Sequence, residues 1–341
     1  MNRTIKAAVL VSLKKKLVIK NLSFPRLKKG QILVKILFSG VCGSQIMEQS
    51  GKRGEDKWLP HLLGHEGSGV VEKVYKGCKK LQPGDEVLLS WIKSSGYNAE
   101  GAKYISTDGD VINSGQITTF SNYSIISENR IIKKPKDLSF LHAALYGCAI
   151  PTGSGMVINE NNNFNKDIQV VLIGLGGIGL SALIALVSLG FKNITVVDKN
   201  VNKKKVLENF PKINFIHLIN ECEQINQGVY DLCIESAGTI DSIELGFSMI
   251  KNNGQLIFAS HPEKGKKIQI DPHDLISGKK IRGTWGGSFN PDLDVEKFHK
   301  ILKSKLIDLM ITKIYGLEEI NEAIDDLKNG LVQRPIIKME H

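Results

Sequence analysis

Four glycines set between an apolar run and a long apolar stretch constrain this chain more than any other feature. Residues 168–198 read I-Q-V-V-L-I-G-L-G-G-I-G-L-S-A-L-I-A-L-V-S-L-G-F-K-N-I-T-V-V-D. Residues 170–173 have the length and β-branching of a strand buried on both faces, and an apolar helix follows the glycines. Gly174 lets the chain turn sharply, Gly176 leaves room for backbone N–H groups to approach a pyrophosphate, and Gly179 lets helix and strand pack closely. Gly177 and Ile178 complete this cofactor-binding turn. A second strand, 194–197, ends in Asp198, 19 residues beyond Gly179, where a carboxylate can bond an adenosine ribose and repel a 2′-phosphate. The expected cofactor is therefore NAD rather than NADP. No charge lies between Asp167 and Lys192, long enough for a membrane span, but clustered glycines followed by another strand argue against one.

At 341 residues the chain is too long for one ordinary core, which points to two domains. No basic segment followed by an apolar run precedes the first strand, so a cytoplasmic protein with no membrane partner is expected. Five cysteines are too few, and odd in number, for a disulfide framework; reduced thiols or metal ligands fit better. The formal net charge is +10, but the lysines are scattered, as at 14–16, 203–205 and 279–280, with no aromatic interleaving. That pattern describes a solvated basic surface rather than a nucleic-acid binder.

Residues 1–150 read as short strands punctuated by Gly and Pro, at 7–11, 17–19, 32–38, 69–74, 86–90 and 123–126, which predicts a strand-rich, barrel-like domain. From 151 to 287 strands at 170–173, 194–197, 232–235 and 255–259 alternate with helical stretches, the pattern of a doubly wound parallel sheet. Helices at 295–303 and 317–328 and a strand at 335–339 follow, so residues 288–341 are expected to return to the first domain.

Cys42 sits in S-G-V-C-G-S, His65 and Glu66 lie 23 residues later in L-G-H-E-G-S-G, and Cys148 lies 83 residues past His65 in Y-G-C-A-I-P-T-G. Two thiolates and an imidazole with an open fourth position make a catalytic zinc shell. Spacing alone does not make this a metal motif, and each residue taken singly reads more readily as packing than as a ligand.

The order S-G-V-C-G-S, L-G-H-E-G-S-G-V-V, K-L-Q-P-G-D-E-V, G-C-A-I-P-T-G-S-G and G-L-G-G-I-G resembles the medium-chain dehydrogenase/reductase superfamily, specifically its zinc-dependent alcohol dehydrogenases, over essentially the whole chain. The resemblance implies an α/β chain with a GroES-like barrel catalytic domain and a Rossmann domain. It implies one catalytic zinc per chain on Cys42, His65 and Cys148, with Glu66 as an acid that can approach the metal, Ser44 handling the alcohol proton and Thr152 packing on the nicotinamide. L-E-E-I-N-E-A-I-D-D-L-K-N-G followed by V-Q-R-P-I-I implies a pyrophosphate-binding arginine at Arg334. The implied reaction moves a hydride between a small-molecule alcohol and NAD, giving the aldehyde or ketone, in a homodimer or homotetramer. A plain aliphatic or aryl alcohol, a polyol and an anionic sugar derivative all remain open.

Three departures stand out. Residues 90–106 hold none of the closely spaced cysteines with which many members bind a second, structural zinc. Gln45 replaces the aspartate that usually orients the ligand histidine; an amide can still accept that bond, with one negative charge fewer. Met47 replaces the relay histidine, and His261, just after a strand of the parallel sheet, is the candidate to take over that role. These departures also motivate an alternative, a non-catalytic NAD(H)-binding sensor whose zinc is structural.

Overall fold

A computed structural model describes residues 4–161, 165–210, 212–259, 262 and 265–341; the candidate relay residue His261 lies outside them. The chain divides into two compact units, one of residues 1–148, 290–299 and 311–341, the other of residues 149–289 and 300–310. The sequence pattern places residues 300–310 with the first unit. They join the second because Leu302, Ile307 and Met310 are buried and Lys303 N–H donates to Ser188 Oγ at 3.2 Å.

The first unit is built on two sheets. In the larger, the long strand Gln31–Gly40 pairs antiparallel with Glu66–Val74, with Tyr123–Ser127 and with the last strand, Ile336–Lys338. Alternating apolar residues of the long strand, Ile32, Val34 and Ile36, enter a core with Val71, Leu89, Ile126 and Ile337. The smaller sheet includes two three-residue strands, Lys103–Ile105 and Val111–Asn113, too short for a visible alternation in sequence.

The cysteine-free stretch 91–106 is tied down by a carboxylate. Glu128, 4% exposed, accepts from Tyr97 N–H at 2.7 Å, from Tyr75 Oη at 3.2 Å and from Cys78 Sγ at 3.2 Å. Ser95 N–H and Oγ donate to Asp292 at 2.6 and 2.9 Å. Removing the carboxylate in Glu128→Leu leaves the Tyr97 amide without its acceptor and should destabilise the first unit by about 1–3 kcal/mol in a denaturant melt.

The second unit holds a six-stranded, all-parallel sheet. Its order is Asn214–His217, Asn193–Asp198, Gln169–Ile173, Tyr230–Glu235, Ile250–Phe258, Lys280–Gly283. The strand order reverses between Gln169–Ile173 and Tyr230–Glu235, the switch point at which such sheets receive ligands at their carboxyl ends. The apolar run after the glycines is the helix Gly177–Ser188, and among the described residues no helix is long and apolar enough to cross a membrane.

Candidate functional site

Antiparallel pairing gathers the sequence-distant residues of the first unit. Ser39 faces Gly67, so the chain leaving one strand through Val41 and Cys42 lies beside the chain entering the other through His65 and Glu66. The pairing of Ile336 with Gly40, extended by Val41 N–H on Pro335 O at 3.0 Å, brings Arg334 to the same end. Cys148 arrives by close backbone approach. A Cβ on Gly147 would stand 2.2 Å from Leu89 O and 2.7 Å from Glu66 Cα, so only glycine fits, and Ser90 Oγ pins its carbonyl at 2.8 Å.

The result is a cluster in which ligand atoms of Cys42, His65, Glu66 and Cys148 lie within 4.8 Å of one another. Glu66 is fully buried, and its Oε1 accepts from Arg334 Nη1 at 3.0 Å. The bond between Cys42 and Cys148 pulls the Cys42 thiol well below its usual range and, together with burial, pushes Cys148 well above. Burial opposes charging of His65, but its bond to Cys42 and the charges of Cys42 and Glu66 outweigh that and raise its pKa. Such a group of partly ionised soft and borderline donors fits zinc.

Arg334, expected at a pyrophosphate, lies 97% out of solvent with Nη1 also on Val41 O at 3.2 Å. Burial works against its charge, yet Glu66, Cys42 and Cys148 raise its pKa, which makes it the counter-charge of the cluster. Its Nε has no hydrogen-bond partner, and the same holds for the buried Oγ of Ser44, two residues beyond Cys42. Gln45 was expected to accept from His65; instead its Oε1 takes Cys42 N–H at 2.8 Å and its Nε2 faces His65 Nδ1 at 2.5 Å. A second group, Glu48, Asp56 and His61, is closed by a 2.8 Å bond from His61 Nε2 to Asp56.

In the second unit Gly174 turns at φ +87°, and a Cβ on Gly179 would stand 1.9 Å from Gly174 O, so strand and helix meet as closely as the motif requires. Gly176 is exposed at the helix N-cap, followed by Gly177 and Ile178 in the first turn. Asp198 ends its strand half-buried, accepting from Leu175 N–H at 2.6 Å and Asn200 N–H at 2.8 Å; it braces the turn as well as ending the strand. Thr152 is buried in the helix Ala149–Ile158.

Sequence reasoning missed Glu235. It closes the strand next to the glycine turn, fully buried, with Oε1 on Gly238 N–H at 2.7 Å and Ser242 Oγ at 2.8 Å, while Oε2 has no partner. Burial raises its pKa against those bonds. The signal was available, an acid closing the apolar run L-C-I-E at the switch point.

Residues 28–136 match the alcohol dehydrogenase GroES-like domain. The chain is 29% identical to alcohol dehydrogenase class-3 of Cereibacter sphaeroides, covering 97% of this chain and 99% of the relative. It is 26% identical to putative alcohol dehydrogenase D of Mycobacterium tuberculosis, covering 90% and 92%. Among solved structures it is similar to benzyl alcohol dehydrogenase from Acinetobacter calcoaceticus, with TM-score 0.86, 25% identity and coverage of 99% and 100%.

Proposed function

The chain belongs to the medium-chain dehydrogenase/reductase superfamily, among its zinc alcohol dehydrogenases, and from that premise we propose that it oxidises a small alcohol with NAD at a single zinc held by Cys42, His65 and Cys148. The observation that carries the proposal is the convergence of those three side chains, spread over 107 residues of sequence, with Glu66 on one point. Zinc bound there supplies Lewis acidity, lowering the pKa of a substrate hydroxyl. The chain's own groups do the rest. Ser44 Oγ, buried and unpartnered, is available to take the hydroxyl proton. The Arg334 guanidinium offsets the charge of Glu66, so the acid does not need the metal to neutralise it. In the second unit the backbone N–H groups opening the helix Gly177–Ser188 receive the pyrophosphate, and Asp198 receives the ribose. A carboxylate at that position supports NAD over NADP. The relatives' names speak for an alcohol oxidoreductase and do not favour a non-catalytic sensor.

The test is an NAD-coupled screen of aliphatic and aryl alcohols, polyols and sugar phosphates, repeated after chelation. Turnover that disappears with the metal and returns with Zn²⁺ supports the reading; turnover indifferent to chelation overturns it. The dinucleotide half is tested separately by Gly176→Ala. Gly176 has φ −84° and open space where a Cβ would go, so the fold should tolerate alanine. The added methyl stands where the pyrophosphate must approach, and Kd for NAD should rise about tenfold, roughly 1.4 kcal/mol, with an unchanged melt.

Self-association belongs to the same reading. Strand Lys280–Gly283 ends its sheet, and nearby Ile276 and Trp285 are 82% and 76% exposed, more than a monomer gains from leaving uncovered. A second copy pairing along that edge would cover them. Light scattering of Trp285→Lys should give a smaller species than the unaltered chain; equal masses would rule out this edge.

A further inference from the structure

Gln45 answers two hydrogen-bonding demands that a single amide cannot meet together. Its side chain is 1% exposed and held at both ends, Oε1 by Cys42 N–H at 2.8 Å and Nε2 by His65 Nδ1 at 2.5 Å. A backbone N–H can only donate, so the amide oxygen faces Cys42 and closes the first turn of the helix Gly43–Gln49. The end left for His65 is then an N–H donor, and Nδ1 must accept. With the amide turned this way, the bond forms only while Nδ1 carries no proton.

A histidine that ligates through Nε2 has the opposite requirement, because its proton moves to Nδ1 and needs an acceptor there. Turning the Gln45 amide over provides that acceptor but sets its NH₂ group against Cys42 N–H. A carboxylate, with two acceptor oxygens, would serve both positions at once.

We infer that Gln45 couples metal occupancy to the first turn of the helix that carries Ser44. As placed, the amide favours an Nδ1 that accepts, and ligation through Nε2 requires it to turn over and release Cys42 N–H. The site therefore binds zinc more weakly, and exchanges it faster, than the same site with a carboxylate at this position. This rests on the reading of Cys42, His65 and Cys148 as ligands. Outer-shell partners of ligand histidines typically govern about 10- to 100-fold in metal affinity, and that is the expected size of the effect.

The test uses the full chain, with Zn²⁺ titrated against a competing chromophoric chelator for the unaltered protein and for Gln45→Glu. The substitution should tighten binding about 10- to 100-fold. Because it also adds a charge, hydrogen exchange at the Cys42 amide is followed by NMR with and without Zn²⁺. Zinc should accelerate that exchange in the unaltered protein and leave it slow in Gln45→Glu. Affinities within about threefold of each other, or a Cys42 amide equally protected with and without Zn²⁺ in the unaltered protein, overturn the inference even if Gln45→Glu binds more tightly. The exchange measurement needs no variant, so it decides the question if Gln45→Glu does not fold. An unaltered chain that takes up no Zn²⁺ refutes the ligand reading itself, a separate outcome.

Discussion

Replacing Cys148 by alanine is expected to lower kcat/KM for alcohol oxidation by about 10³-fold or more, because the loss of one of three ligands removes the Lewis acid that makes the hydroxyl acidic. The change should cost little in folding. The Cys148 side chain is small, and its hydrogen bond to Cys42 is made in a buried place that, together with that bond, pushes its thiol well above the usual range. Metal analysis of the purified variant should show zinc reduced in proportion to activity, while affinity for NAD, which depends on the second unit, stays within about twofold. Full zinc with lost turnover would make Cys148 something other than a ligand. Full turnover without zinc would remove the metal from the mechanism. The same measurement separates an enzyme from a module that only binds NAD(H), since the latter produces no alcohol-dependent NADH absorbance in either protein.

What the chain discloses in its sequence and what it discloses only in its fold divide along a physical line. The glycine turn, its strand and its helix were legible because a dinucleotide site is local: the residues that make it are consecutive, and their spacing is the geometry. The cluster of Cys42, His65 and Cys148 was legible only through resemblance, because its members meet through strand register and the close approach at Gly147, neither of which spacing encodes. Gln45 illustrates a finer limit. Its residue type allowed it to accept a bond from His65, but the competing claim of Cys42 N–H appears only when the helix cap forms. The short strands at 103–105 and 111–113 escaped because three residues cannot show a period of two, and residues 300–310 because burial of Leu302, Ile307 and Met310, not chain order, decides which unit they join.

Arg334 is where the sequence expectation and the structure make different predictions for one substitution. A pyrophosphate ligand at the surface of a cofactor site could be exchanged for methionine with weaker NAD binding and an unchanged melt. The arginine is 3% exposed and pairs with a fully buried glutamate, so Arg334→Met takes from the Glu66 carboxylate, which stays out of water, the guanidinium that offsets its charge. Breaking a buried pair from one side costs about 3–5 kcal/mol, which for a unit of this size lowers Tm by roughly 10 °C. Removing both charges should cost less than removing one: Glu66→Leu combined with Arg334→Met is expected to recover a large part of the lost stability, because no uncompensated ion remains. The melts are made on chelated protein so that lost metal does not contribute. Arg334→Met melting within about 2 °C of the unaltered chain, with NAD affinity alone reduced, would return this arginine to the cofactor. A double variant no more stable than Arg334→Met would show that the guanidinium is held by Val41 O and packing rather than by Glu66.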